Sequence, residues 1–330
     1  MGFSRFRSGD TRDVTTSNGA ARAHLDAVLP LTAADAARAE ILFRSLEAFF
    51  EPLGTCHVVV PDGDLATVRP HVPRGRYRVV AESQVLPEIA WFWRAARLRA
   101  KLRIVGPPVH GCFVQQLVKL AAADQVATPF YLTLDADVIC VRPTRYEDLV
   151  PDGRALVQTT PPNHPEWMDD AERVLALPRS ARQYAVTPAV LARDGVRALA
   201  RHLDSRVDPR TSALGARLPY GRARAIAASW RSFLLRNLPW TEYAVYHTFL
   251  EATGLFERFH VLAGEDAIYA NAVWMESQFE DWDPRRTFDG RNRFAFTVVQ
   301  SATRIPPEHV RAKVEPFLAR PAVAAAGGGR

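Results

Sequence analysis

Apolar runs of strand length alternate with amphipathic stretches along most of the chain. His24–Pro30 (HLDAVLP) is a short apolar run stopped by proline, which predicts a strand. Thr32 and Asp35 follow with the spacing of a helix start. Leu42, Leu46, Phe49 and Leu53 then recur at intervals of four, three and four, the buried stripe of a helix. Cys56–Val60 (CHVVV) is almost continuously apolar, as expected of a parallel strand covered on both faces, and Tyr77–Val80 predicts a further strand. Strand, helix, strand with apolar strands is the opening of a doubly wound α/β fold.

The alternation continues downstream. Phe113, Val114, Leu117, Val118, Leu120 and Ala121 predict a helix from Gly111 to about Val126, leading into a strand at Phe130–Leu134 (FYLTL). Strands are predicted at Ala155–Gln158, Tyr184–Val186 and Phe294–Val299, and helices at Ala189–Leu203 and Thr241–Thr253. No repeat of solenoid period is present. Nothing divides the pattern cleanly near its middle. The expectation is one domain over 24–318, with a first half of about 24–150 and a lobed second half of about 151–318, between flexible tails 1–23 and 319–330.

Composition narrows the classes. With 330 residues, 48% hydrophobic and 24% charged, the chain can bury a full core. Its formal charge of +6 is mild, and because lysine occurs only at Lys101, Lys119 and Lys313, nearly all the basic residues are scattered arginines. No basic block or zinc-finger spacing accompanies them, so no nucleic-acid partner is expected. Ala90–Ile104 (AWFWRAARLRAKLRI) has the basic, aromatic composition of a surface-binding helix, but Trp91, Phe92 and Trp93 are read as packing residues. Cys56, Cys112 and Cys140 cannot all pair, no stretch reaches about 18 apolar residues, and the N-terminus lacks an apolar signal region. A soluble cytoplasmic protein without a transmembrane segment is expected.

Asp135 and Asp137 carry the chemistry. In an extended segment, residues i and i+2 project to one side, so both carboxylates face one point past the carboxyl end of an apolar strand, where open α/β sheets place ligands. A hard cation takes one or two such carboxylates and fills its other positions with water and phosphate oxygens. The chain holds two further pairs of the same spacing, Asp62/Asp64 and Asp281/Asp283. The first is flanked by Pro61 and Gly63 and reads as a turn, and the second has no strand before it.

The run VQQLVKLAAADQVATPFYLTLDADVICVRP resembles the centre of GT-A-fold glycosyltransferases. It is most similar to an uncharacterised bacterial glycosyltransferase-like family with a QQxxKL helix, a DxD motif and a WTEY block. Tyr184–Leu191, Pro239–Gly254 and Val298–Val314 resemble other blocks of that family, so the likeness spans roughly 24–318. It implies a GT-A-like (Rossmann-like) mixed sheet flanked by helices. It also implies a UDP- or GDP-linked nucleotide-sugar donor, Mn²⁺ or Mg²⁺, a carbohydrate or other hydroxyl acceptor, and a place in bacterial polysaccharide biosynthesis. Asp135 and Asp137 map onto its metal and donor-phosphate motif. Where the wider class often adds a C-terminal histidine to the metal, this chain has Gln300 and Ser301, with His309 further on; Gln300 is the candidate third ligand.

Other polar residues have two readings each. Lys119, in an otherwise apolar helix, can reach the donor diphosphate, or run to solvent or pair with Asp124. Gln115 and Gln116 precede it, and one of them shares its face. Glu242, in the first turn of an aromatic-rich helix, is the candidate base for an inverting transfer, or complements the helix dipole. Glu265 and Asp266 are its rivals. Tyr184, with Thr187, Asn163, His164 and Trp167, belongs to an expected acceptor-facing surface or to packing. The alternative functions are a sugar nucleotidyltransferase, whose usual glycine-rich loop is missing after the first strand, and a non-catalytic carbohydrate- or partner-binding module with a vestigial acidic motif.

Overall fold

The computed structural model describes residues 23–89, 111–207 and 229–319. The aromatic and basic stretch at 90–104 lies outside them, as do the expected tails except Ala23 and Ala319. The strands are β1 (Leu25–Pro30), β2 (Leu53–Val60), β3 (Tyr77–Ala81), β4 (Phe130–Thr133), β5 (Val138–Cys140), β6 (Ala155–Thr160), β7 (Gln183–Tyr184), β8 (Ala189–Ala192), β9 (His260–Ala263) and β10 (Phe296–Val298). The longer helices are α1 (Ala36–Phe49), α2 (Gly111–Ala121), α3 (Pro165–Leu175), α4 (Arg193–Ser205), α5 (Trp230–Arg236), α6 (Glu242–Ala252) and α7 (Pro307–Leu318). None of the described helices is long and apolar enough to cross a membrane.

A five-stranded sheet runs in the order β3-β2-β1-β4-β8. β1, β2, β3 and β4 are parallel, and β8 closes the edge antiparallel to β4. Side chains alternate across it into two cores, which is why its strands are apolar throughout. Val28, Val59, Tyr131 and Leu191 point to a core shared with α2, α4 and α6. Leu25, Ala27, Leu29, Val58, Leu132 and Val190 point to the other, against Leu42, Phe43 and Leu46 of α1. The mixed α/β class follows from this alternation. Two smaller sheets flank the large one: β5 with β10 antiparallel, and β6 between parallel β9 and antiparallel β7.

One predicted element is corrected. The helix expected at Ala189–Leu203 is a strand to Ala192 and a helix only from Arg193. Alanine favours helix locally, but the free edge of β4 pairs with Ala189–Ala192, and the alternate burial of Val190 and Leu191 into the two cores overrides that preference. The strand predicted at Tyr184–Val186 shrinks to Gln183–Tyr184.

A hydrogen-bonded chain ties the small sheet to the large one. The Ala192 N–H donates to the Tyr246 hydroxyl at 3.0 Å, and that hydroxyl donates to His260 Nε2 at 2.8 Å. His260 Nδ1 then donates to the Ala155 carbonyl at 3.3 Å. The imidazole is therefore held neutral, and burial pushes its pKa down to about 4. Burial also pushes His247, whose ring centroid lies 5.3 Å from that of His260, well below the usual range. Unfolded histidines take protons near pH 6.5, so this contribution to stability is complete above that pH and is lost as pH falls toward about 4. For His260 the span corresponds to about 3 kcal/mol. Denaturation from pH 8 to pH 4 is expected to show that loss, with a shallower slope in His260→Gln; an unchanged slope in the variant contradicts it.

Candidate active site

β4 ends at Thr133, and the chain then turns instead of continuing extended. The Val138 N–H donates back to the Asp135 carbonyl at 3.2 Å and closes a four-residue turn into β5. Asp135 and Asp137 therefore do not converge by strand alternation, as expected from sequence. They converge because the turn returns Asp137 to the same cavity.

That cavity, about 270 Å³, is lined by Gln115, Gln116 and Lys119 of α2, both aspartates, Trp167, Tyr184, Thr187, Glu242, Trp274 and Gln300 among others. Ten residues singled out from the sequence meet there, all of those named except Trp274. Glu265 and Asp266, the rival bases, do not: they sit on an exposed turn after β9. His309 is exposed on α7 and also does not line the cavity. Members of the other acidic pairs serve the starts of short helices. Asp62 accepts from the Ser83 N–H and hydroxyl, Asp64 from the Ala33 N–H, and Asp283 caps a short helix through the Arg285 N–H.

Lys119 is the hub. It neither runs to solvent nor pairs with Asp124, which bonds Arg231 instead. Its Nζ, with the side chain only 4% exposed, lies 2.9 and 3.1 Å from the two Asp135 oxygens and 3.1 Å from Glu242 Oε1. It also donates to Thr187 Oγ1 at 2.6 Å. An ammonium only donates, so the rest of the network has one direction. Thr187 donates to the Tyr243 hydroxyl, which donates to Thr133 Oγ1, which donates to the Ala189 carbonyl. Burial alone would lower the lysine pKa, but Asp135, Tyr243 and Glu242 outweigh it and hold the ammonium charged.

The carboxylates differ. Burial raises the Glu242 pKa against the pull of Lys119, which suits a proton acceptor. For Asp137, burial first and the Asp135 charge second push the pKa up to about 6, opposed by the Ser301 N–H bond at 2.8 Å and by Arg38. Gln116 Oε1 accepts the Glu242 N–H at 3.2 Å, so it caps the helix that carries Glu242. Tyr184 is almost fully buried, stacked on His247 at 4.3 Å. Trp274 is a lining residue that sequence reasoning missed, because a single aromatic in an irregular segment has no periodic signal.

Three carboxylates face one ammonium in the cavity, an arrangement that attracts cations and repels anions. Asp135, Asp137 and the Gln300 carbonyl are oxygen donors of the kind Mg²⁺ or Mn²⁺ takes, with remaining positions for water and phosphate. Among the described residues, no three His, Cys, Asp or Glu side chains form a closed metal cage. This donor set fits a metal completed by substrate oxygens.

Among solved structures, the chain is similar to the galactosyltransferase LgtC in complex with donor and acceptor sugar analogues, at 10% identity and a TM-score of 0.44, covering 88% of this chain and 96% of that one. It is also similar to the apo form of mouse xyloside xylosyltransferase 1, at 11% identity and a TM-score of 0.42, covering 86% and 100%. No curated protein sequence matches it. The profile of a family of unknown function, DUF6492, matches residues 22–322, nearly the whole of the chain, and the protein belongs to that family.

Proposed function

We propose that the protein is a metal-dependent glycosyltransferase, moving a sugar from a UDP- or GDP-linked donor to an acceptor hydroxyl in a reducing, cytoplasmic setting. The observation that carries the reading is the meeting of Asp135, Asp137, Lys119, Glu242 and Gln300 in one cavity beyond the carboxyl end of β4. The sheet order reverses between β1 and β4, and open α/β sheets bind ligands at such a reversal.

Asp137 and Asp135 would hold the dication, with Gln300 beside them. When bound, the metal neutralises the charge that develops on the departing diphosphate. Lys119 pairs with both oxygens of Asp135 and fixes Oε1 of Glu242. Glu242, buried and with raised basicity, takes the acceptor hydroxyl proton in an inverting transfer; a retaining transfer needs no protein base. Free Cys56 and Cys140, whose thiols burial pushes up to about 12, fit a reducing compartment.

Calorimetry of UDP and GDP with and without Mn²⁺ tests this. Binding of at least one diphosphate only in the presence of metal is expected. Absence of binding in every condition overturns it, and preference for the triphosphate favours a nucleotidyltransferase.

A further inference from the structure

Among the described residues two tryptophans, Trp167 and Trp274, line the cavity, and each is set beside a neighbour. Trp167 is stacked on His164 at 4.3 Å with the rings 10° from parallel; the His164 backbone N–H donates to Gln183 Oε1 at 2.7 Å, and its ring Nδ1 lies 2.9 Å from Glu166 Oε1. The Trp274 ring meets Tyr269 edge-on at 6.2 Å, and Gln278 Oε1 accepts the N–H groups of both Trp274 and Met275. Trp274 remains 38% exposed, although its chain neighbour Val273 is buried. The exposed part of the Trp274 indole gives the carboxylate-lined cavity an apolar wall on which a ligand can pack.

The lining also says which part of a substrate enters. It begins at Cys112 and includes no residue of β1, β2 or β3 or of the connections between them. The walls come instead from α2, α3, β7, α6 and the segments around Trp274 and Gln300, with Asp135 and Asp137 at the end of the cavity nearest the reversal beyond β4. About 270 Å³ falls just below the roughly 300 Å³ at which sites for drug-sized ligands begin, a space that suits one sugar ring.

We infer that this cavity is the acceptor subsite and that it takes a pyranose ring whose C–H face lies on Trp274, with Trp167 as a second aromatic wall. Such a ring matches both halves of the lining. Its apolar face packs on the electron-rich face of an indole, and its hydroxyls donate to carboxylates that repel a phosphate. A lipid chain would leave the carboxylates without donors. The label "acceptor" rests on the proposed glycosyl transfer; binding of the ring does not.

Saturation-transfer NMR with methyl glucoside, methyl galactoside and methyl mannoside, beside calorimetry of UDP and GDP with Mg²⁺, tests the inference on the full chain. At least one glycoside is expected to receive saturation on its ring C–H protons. That transfer should fall at least fivefold in Trp274→Ala and be largely kept in Trp274→Phe, with diphosphate affinity changed less than twofold in both. The inference is overturned if no glycoside responds, or if Trp274→Ala weakens the diphosphate instead, which would make the indole a nucleobase platform. Silent glycosides with a bound diphosphate sink only this subsite, and bound glycosides with no diphosphate binding sink only the transferase reading.

Discussion

Asp137→Ala is expected to weaken metal-dependent binding of a nucleoside diphosphate by at least about 100-fold, or about 2.7 kcal/mol, without unfolding the protein. Asp137 is the carboxylate that Lys119 does not hold, so it has the larger share of a dication to itself. Its own contribution to the apo fold is unfavourable. A carboxyl whose pKa burial and Asp135 lift to about 6 is ionised at neutral pH at a cost to the folded state. Alanine removes that cost and loses the Ser301 hydrogen bond, so the melting temperature at pH 8 without metal should stay level or rise. Asp135→Asn should be milder in binding, because half of its charge partnership is with Lys119. Undiminished diphosphate affinity in Asp137→Ala would remove the metal from the reading.

Lys119→Met acts on the fold instead. It leaves Asp135 and Glu242 facing each other without the ammonium that both contact, and Glu242 is only 6% exposed. Removing one partner from a buried ion pair costs about 3–5 kcal/mol, because a charge is left desolvated and uncompensated. Chemical denaturation should show a loss of this size. Adding Glu242→Gln to Lys119→Met should recover a large part of it, since the stranded charge disappears, and the double-mutant cycle measures the coupling. A loss below about 1 kcal/mol for Lys119→Met would mean that the network is a set of weak contacts and not the hub of the site.

The candidate site was partly legible in advance. Asp135 and Asp137 could be chosen over Asp62/Asp64, which Pro61 and Gly63 mark as a turn, and over Asp281/Asp283, which no strand precedes; in the structure Asp62, Asp64 and Asp283 accept from backbone N–H groups at helix starts. Glu242 could be singled out from its helix start, but nothing in its own neighbourhood placed it beside Lys119, 123 residues earlier. The rivals Glu265 and Asp266 looked equivalent to it along the chain, since an acidic residue near a turn looks the same whether the turn faces a cavity or solvent. Gln116 and Gln115 were indistinguishable by spacing, and only the approach of α6 gave one of them a helix end to cap.

What the sequence determined by itself was local and periodic. Strands buried on both faces have to be apolar throughout, α1 has to carry a stripe, and so β1, α1, β2, β3, α2 and β4 could be read in order. The tertiary structure decided everything that depends on a partner distant along the chain. It made Ala189–Ala192 a strand because β4 had an edge to offer, bent the acidic segment into a turn, and set one lysine between two carboxylates. It also left Trp274 exposed on a cavity wall. Periodicity records which face of an element is buried, but not against what, and the charge and hydrogen bonding of a site are properties of those meetings.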